Sequence, residues 1–298
     1  MTLVASLIAN ASRPAITDAV LAEARAILGT DHQPRILHGE VAAEILVPGA
    51  GADAEVLTGR LRRALRGEPI DVAVLPAGPH RRKRLFLADM DSTMIEQECI
   101  DELADIVGLK AYVSAITERA MRGEIAFEPA LRERVALLKG LSVAVIDALI
   151  RDRLSLTPGG TTLVRTMRAH GARTCLVSGG FTLFTGPIAE RIGFDEHHSN
   201  RLCVAEGHLT GLVEEPIVGK AAKRETLVGL RERLGLDAAE TLAVGDGAND
   251  LDMLGEAGLG VAFRAKAAVA SAAQVRIDHG DLTALLYLQG YAASEFVG

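Results

Sequence analysis

Across 298 residues, hydrophobic side chains make up 49% and charged ones 24%, enough apolar material for a real core and the charge of an ordinary water-soluble chain. Aromatics are 3%, Trp is absent and the formal net charge is −7, which argues against a stacking platform for single-stranded nucleic acid and against general DNA or RNA binding. The length admits one large domain or two smaller ones.

In chain order, residues 1 to about 80 predict strand (Leu3–Ile8), helix (Thr17–Leu28), strand (near Pro34–Leu37), strand (Ala42–Val47), helix (Ala54–Arg66) and strand (Ile70–Leu75). The helices repeat apolar residues at about 3.6-residue spacing, and the strands are short β-branched or alternating runs. That β-α-β-β-α-β order suits a small ferredoxin-like α+β domain over 1–80. The opening "MTLVASLIANAS" has no Lys/Arg n-region and a short apolar core, so it reads as a first strand and not as a secretory leader. "LPAGPHRRKR" then supplies Pro, Gly and a basic run, read as a solvated linker.

From about residue 81 to 298 the pattern changes. "RLFLAD", "RTCLVSG" and "TLAVGD" each end in polar residues and lead into helical stretches, with further short strands near Leu259–Ala262 and Val275–Ile277. Alternating strand and helix predicts a Rossmann-like parallel sheet with helices on both faces. Residues of about 94–156 between the first two strands read as wholly helical, too long for a crossover and placed to form a cap over the sheet's C-terminal edge. "LTPGG" marks re-entry, with Thr157 expected as N-cap and Pro158 in the first turn. No apolar run reaches transmembrane length. The three cysteines, Cys99, Cys175 and Cys203, form no close pair or metal-like cluster, which fits a reducing, cytoplasmic setting.

Ligands of open parallel sheets bind outside the carboxyl ends of the strands. Three strand ends deliver polar groups there: Asp89 and Asp91, then Ser178 with Gly179 and Gly180, then Asp246 in "VGDGAND". Several carboxylates at one edge repel, and an all-oxygen set with few protein ligands suits Mg²⁺. Glycines and helix N-termini favour an anion, and Lys223 adds an ammonium, with Lys220 as a rival. Metal, phosphate and carboxylates point to phosphoryl transfer. Residues i and i+2 of an extended segment share a side, so one aspartate can attack phosphorus while its neighbour moves the proton.

"DMDST", "VSGG", the lysine and "GDGAND" resemble, in order, the four motifs of the haloacid dehalogenase-like phosphatase superfamily. "DSTMIEQECIDELA", "AMRGEIAFEPALRERVALLKG", "LTPGG" and "LVSGGFTLFT" extend the resemblance, over roughly 85–290, to the phosphoserine phosphatase family. The resemblance implies hydrolysis of O-phospho-L-serine, the last step of serine biosynthesis, with Asp89 as nucleophile and Asp91 as acid/base. It implies Mg²⁺ held by Asp89, the main-chain carbonyl of Asp91 and Asp246, with Asp250 supporting through water. Ser178, the Gly179 backbone and Lys223 would hold the phosphoryl group; Glu98 would take the substrate ammonium and Arg134 its carboxylate. Asn249 would also reach substrate, and Phe127 would help shut the cap. Another small-metabolite phosphatase or a phosphotransferase is the alternative activity. The first 80 residues resemble ACT-type regulatory domains, which would make them a ligand-sensing or dimerising module and the protein a possible homodimer.

Beside these stand plainer expectations. Thr93 and Glu96 fit a capping box, Arg132 rivals Arg134, and Cys99 and Cys175 read as small buried hydrophobes. His197 and His198 suit a surface strand, and Phe181 and Phe184 helix packing.

Overall fold

The structure, a computed structural model, describes residues 2–48 and 53–298. The N-terminal segment runs β1 (Leu3–Ala9), α1 (Asp18–Leu28), β2 (Arg35–His38), β3 (Ala42–Val47), α2 (Ala54–Ala64) and β4 (Ile70–Pro76). Its strands form an antiparallel sheet in the order β2-β3-β1-β4, a ferredoxin-like arrangement. Thr17 caps α1 through the Val20 N–H, and Asp53 caps α2 through the N–H groups of Glu55 and Val56. Leu21, Ala24, Leu57 and Leu61 bury against one sheet face.

The other face is also covered. Ile8, Leu37, Ala42, Ala73 and Leu75 join one apolar cluster with Tyr287, Leu288 and Tyr291 near the C-terminus. Asp71 accepts the main-chain N–H groups of Asp278 (2.7 Å), His279 (3.1 Å) and Gly280 (2.7 Å), tying β4 to the C-terminal segment.

The "HRRKR" run is where the expectation of a solvated linker fails. Arg81 pairs with Glu44 at 2.6 Å and donates to the Leu288 carbonyl at 3.0 Å. Arg82 lies 4.0 Å over the Tyr291 ring. Lys83 donates to the Ala239 carbonyl at 2.6 Å, and burial lowers its pKa to about 8. Long cationic side chains lay their stems along apolar surface and satisfy carbonyls at a seam, so the run acts as an adhesive.

The second part contains β5 (Leu85–Ala88), then α3 (Cys99–Ile106), α4 (Lys110–Met121), α5 (Phe127–Ala136) and α6 (Val145–Asp152). After these come α7 (Gly160–Ala169), β6 (Arg173–Phe181), α8 (Thr182–Ile192), β7 (Glu196–Asn200), β8 (Leu202–Ala205), β9 (His208–Val213) and α9 (Lys220–Arg233). The chain closes with β10 (Thr241–Gly245), α10 (Leu251–Glu256), β11 (Leu259–Phe263), α11 (Ala267–Ala272), β12 (Val275–Ile277) and α12 (Ala284–Leu288). Six strands form a parallel sheet in the order β12-β11-β10-β5-β6-β7. β5 lies centrally, with successive strands added on either side, and its register pairs Ala88 with Val244 and with Leu176. The residues just beyond, Asp89, Ser178 and Asp246, therefore emerge at one edge. Among the described residues, no helix is long and apolar enough to cross a membrane.

Helices α3 to α6 stand over that edge. Their entrance and exit are stitched together by an Ile95–Leu156 bridge, by Glu96 N–H to the Ser155 carbonyl (3.0 Å) and by Thr157 N–H to the Met94 carbonyl (3.0 Å). Thr157 is thus not an N-cap: α7 starts at Gly160, capped by Gly159 in the left-handed region (φ 81°). A Cβ on Gly159 would lie 2.7 Å from the Thr283 nitrogen, so glycine is required for both reasons.

The β8–β9 hairpin is absent from the expected elements. It turns at Glu206-Gly207, both at positive φ, and its Gly207 and Leu209 carbonyls accept from Val143 and Gly140 below α5. "VAEGHL" held the turn signal in its glycine, although Glu is an unusual first turn residue. His197 and His198 lie on β7, an edge strand, where the His197 Nδ1 and the Thr185 hydroxyl are hydrogen-bonded at 3.0 Å. Phe181 ends β6 and Phe184 lies in α8; both are fully buried.

Candidate active site

Beyond β5 the backbone makes one tight turn from Met90 to Met94, with Ser92 at φ 56°. A non-glycine residue there is uncommon, and this turn brings successive polar side chains inward. The Asp91 carboxylate accepts from the Cys99 N–H at the start of α3 (2.8 Å) and from the Ser178 hydroxyl (3.1 Å). The Ser178 oxygen in turn accepts from the Gly180 N–H at 2.8 Å. Thr93 does not form the capping box with Glu96, which is exposed; its hydroxyl donates to Asp246 across the sheet edge at 3.1 Å. The turn swings Thr93 away from the helix that follows.

Lys223, in the first turn of α9, is fully buried and bridges two carboxylates, Asp89 at 2.6 Å and Asp250 at 2.7 Å. Lys220 instead pairs at the surface with Asp252. The second Asp250 oxygen accepts the N–H groups of Asp246 (3.2 Å) and Gly247 (3.1 Å). A Cβ on Gly245 would lie 2.3 Å from the Asp250 carboxyl carbon, so this close approach requires glycine.

Asp89, Asp246 and Asp250 are all buried and can bring one oxygen each to within 4.8 Å of one another. Burial, and then the neighbouring Asp250 carboxylate, push Asp89 well above the usual carboxylate range and Asp246 up to about 7. Lys223 moves the other way: burial opposes its charge, but Asp250 and Asp89 outweigh that and hold the ammonium firmly protonated. With Asp91 nearby, four buried carboxylates face one buried ammonium. Such a set of hard oxygen donors, short of positive charge, fits a divalent cation.

A second set of groups with different chemistry lines the same cavity. Glu98 precedes α3 and accepts from the Ser92 hydroxyl at 2.5 Å; burial, then Asp91 and Asp246, raise its pKa well above normal. Arg134 of α5 is 4% exposed, whereas Arg132 pairs with Glu215 at the surface. Arg134 donates to the Ala130 carbonyl (3.0 Å) and the Thr117 hydroxyl (2.9 Å). Among the described residues, it has no carboxylate partner within ion-pair distance. Asn249 lines the cavity with a buried Oδ1 that lacks a hydrogen-bond partner.

The structure therefore gathers Asp89, Asp91, Glu98, Arg134, Ser178, Gly179 and Asn249 around one cavity, with Lys223 and Asp246 packed at its metal-like end. It adds Thr117 and Met121, which sequence reading passed over, and Thr93, which sequence reading took for a capping residue. Phe127 rests on Gly179, where an added Cβ would lie 2.7 Å from the ring, and on Gly219; Met121 rests on Gly247. Only about 40 Å³ of cavity remains. Cys99 and Cys175 are buried, and burial raises both thiols, as small inert hydrophobes require.

Residues 86–255 match the family model described as haloacid dehalogenase-like hydrolase. A phosphoserine phosphatase of Polaromonas sp. is 49% identical over 210 residues, covering 69% of this chain and 89% of that one. One of Streptomyces coelicolor is 42% identical over 247 residues, 83% of this chain, which spans only 60% of that relative's length. Among solved structures, a HAD-family hydrolase of Salmonella enterica superposes with TM-score 0.84 at 29% identity, covering 97% of this chain and 98% of that one. A structure described as a phospho-aspartyl intermediate analogue of phosphoserine phosphatase gives TM-score 0.66 at 39% identity, covering 69% and 98%. The chain belongs to the haloacid dehalogenase-like hydrolase family, in the branch whose curated members are called phosphoserine phosphatases.

Proposed function

We propose that the protein hydrolyses O-phospho-L-serine to L-serine and phosphate through an aspartyl-phosphate on Asp89. The observation that carries this reading is one cavity lined by two chemically distinct sets of groups. One set is the buried carboxylates with Lys223, suited to a metal and a phosphoryl group; the other is the Glu98 carboxyl and the Arg134 guanidinium, suited to an ammonium and a carboxylate. Phosphoserine bears those three groups on one small skeleton.

Asp89 attacks phosphorus while Asp91 protonates the departing serine oxygen; Asp91 then takes a proton from the water that cleaves the aspartyl-phosphate. Ser178, the Gly179 main chain and Lys223 orient the phosphoryl oxygens, and Asn249 offers its unpartnered oxygen to the substrate. Asp89, the Asp91 carbonyl and Asp246 would hold Mg²⁺, with Asp250 in support; the ion supplies charge neutralisation at the phosphoryl oxygens. Helices α3 to α6 exclude water when closed. In this reading the cap, whose Phe127 rests on Gly179, swings outward to admit substrate.

Phosphate release from O-phospho-L-serine, measured with Mg²⁺ beside EDTA and a panel of other phosphomonoesters, tests this. Metal-dependent release that prefers phosphoserine is expected; preference for a sugar phosphate would refute the cap assignment. A second expectation concerns Phe127. Gly179→Ala forces its ring aside, and kcat/KM should fall by about 10-fold or more with unchanged far-ultraviolet circular dichroism, since small displacements at a reacting centre are costly.

The same reading divides the chain into an ACT-like module over 1–80 and a catalytic part over 81–298 capped by about 94–156, acting in the cytoplasm. If the module pairs two copies, the outer edge of β2 is the open site, with Ile36 50% exposed.

A further inference from the structure

Behind Arg134 the cap contains buried polar groups that the proposed chemistry does not use. Arg134 on α5 donates from Nη1 to the Thr117 hydroxyl on α4 at 2.9 Å. The Thr117 oxygen lies 2.8 Å from Asp101 Oδ1 on α3 and 3.0 Å from the Val113 carbonyl of its own helix. Having accepted a hydrogen bond from the arginine, the hydroxyl has a single hydrogen to donate, and the charged acceptor is the stronger one. Asp101 Oδ2 accepts from the Ser114 hydroxyl at 2.6 Å, which completes a network across three cap helices. Thr117, Asp101 and Arg134 are 4%, 9% and 4% exposed.

A buried guanidinium is costly without a counter-charge, yet a carboxylate directly on Arg134 would occupy the fork that a substrate carboxylate needs. The neutral hydroxyl resolves this conflict. It passes the influence of Asp101 to the guanidinium while taking up only one of the five N–H donors, and Ala130 takes a second. Among the described residues no further hydrogen bond from the guanidinium is made, and Arg134 lines the cavity together with Glu98.

We infer that Thr117 and Asp101 are positioning residues that fix the direction of the Arg134 fork, and so set the preference for esters carrying a carboxylate. This rests on the substrate reading above. The test compares kcat/KM for O-phospho-L-serine with that for O-phosphoethanolamine, which keeps the ammonium and lacks the carboxylate.

In Thr117→Val, nearly isosteric but without the hydroxyl, that ratio should fall about 10-fold, mainly through a higher KM for phosphoserine, because a polar site built for a partner loses most when its geometry loosens. Thr117→Ser should restore the ratio to within about twofold of wild type, and Asp101→Asn should lower it in the same direction by a smaller factor. The Asp101→Asn arm decides the matter if the valine variant fails to fold. An unchanged ratio in both Thr117→Val and Asp101→Asn, or an equal loss in Thr117→Val and Thr117→Ser, overturns the inference. A wild-type ratio near one overturns the substrate reading itself, and that result needs no variant.

Discussion

Asp89→Asn should abolish phosphate release from O-phospho-L-serine, with kcat falling by about 10⁴-fold or more, the scale seen when a covalent nucleophile is removed. The amide keeps the shape of the carboxylate but carries no charge with which to attack phosphorus. The fold should survive the change. Burial and the neighbouring Asp250 already disfavour the ionised form of Asp89, so a neutral side chain relieves repulsion among the carboxylates. The amide oxygen can still accept from Lys223. Unfolding by urea should therefore begin no earlier than in wild type. Phosphorylated protein, trapped by acid quench during turnover, should appear with wild type and not with the variant. Activity within about 10-fold of wild type would mean that another group attacks phosphorus or that water does so directly.

The second large effect belongs to Lys223. Its ammonium touches Asp89 at 2.6 Å and Asp250 at 2.7 Å, and none of the three side chains is more than 3% exposed. Lys223→Met leaves two buried carboxylates without their cation, and breaking such a pair from one side costs about 3–5 kcal/mol. The urea midpoint should fall accordingly, and turnover should be lost together with the charge opposite the phosphoryl group. The companion change Asp250→Asn separates the two consequences. In the double variant one uncompensated charge is gone, so part of the stability should return while activity stays absent. A Lys223→Met protein as stable as wild type would show that the carboxylates take up protons without cost.

Much of this architecture was legible because it is written in local spacing. The strand-end aspartates Asp89, Asp91 and Asp246 follow apolar runs of strand length, and the strand–helix alternation announces the parallel sheet. Other features depend on contacts between residues far apart in sequence. Thr93 reaches Asp246 across 153 positions, and nothing local distinguishes it from a helix cap. The Thr117 brace joins residues 16 and 17 positions away on separate helices, so helical periodicity is silent about it. Thr157 failed as an N-cap because the left-handed Gly159 displaced the helix start. The basic run failed as a linker for the opposite reason: its composition is that of a solvated segment, and only the carbonyls of Leu288 and Ala239 reveal what it grips.

The four-stranded N-terminal sheet is sandwiched, with α1 and α2 on one side and the C-terminal residues Tyr287, Leu288 and Tyr291 on the other. Evolutionary trimming of such a chain is asymmetric. A deletion of the first 80 residues would strip cover from Tyr287 and Leu288, which are 2% and 1% exposed, and leave a sticky wall beside the catalytic half. A lineage that dispenses with the module must therefore repaint that wall with polar residues at the same time.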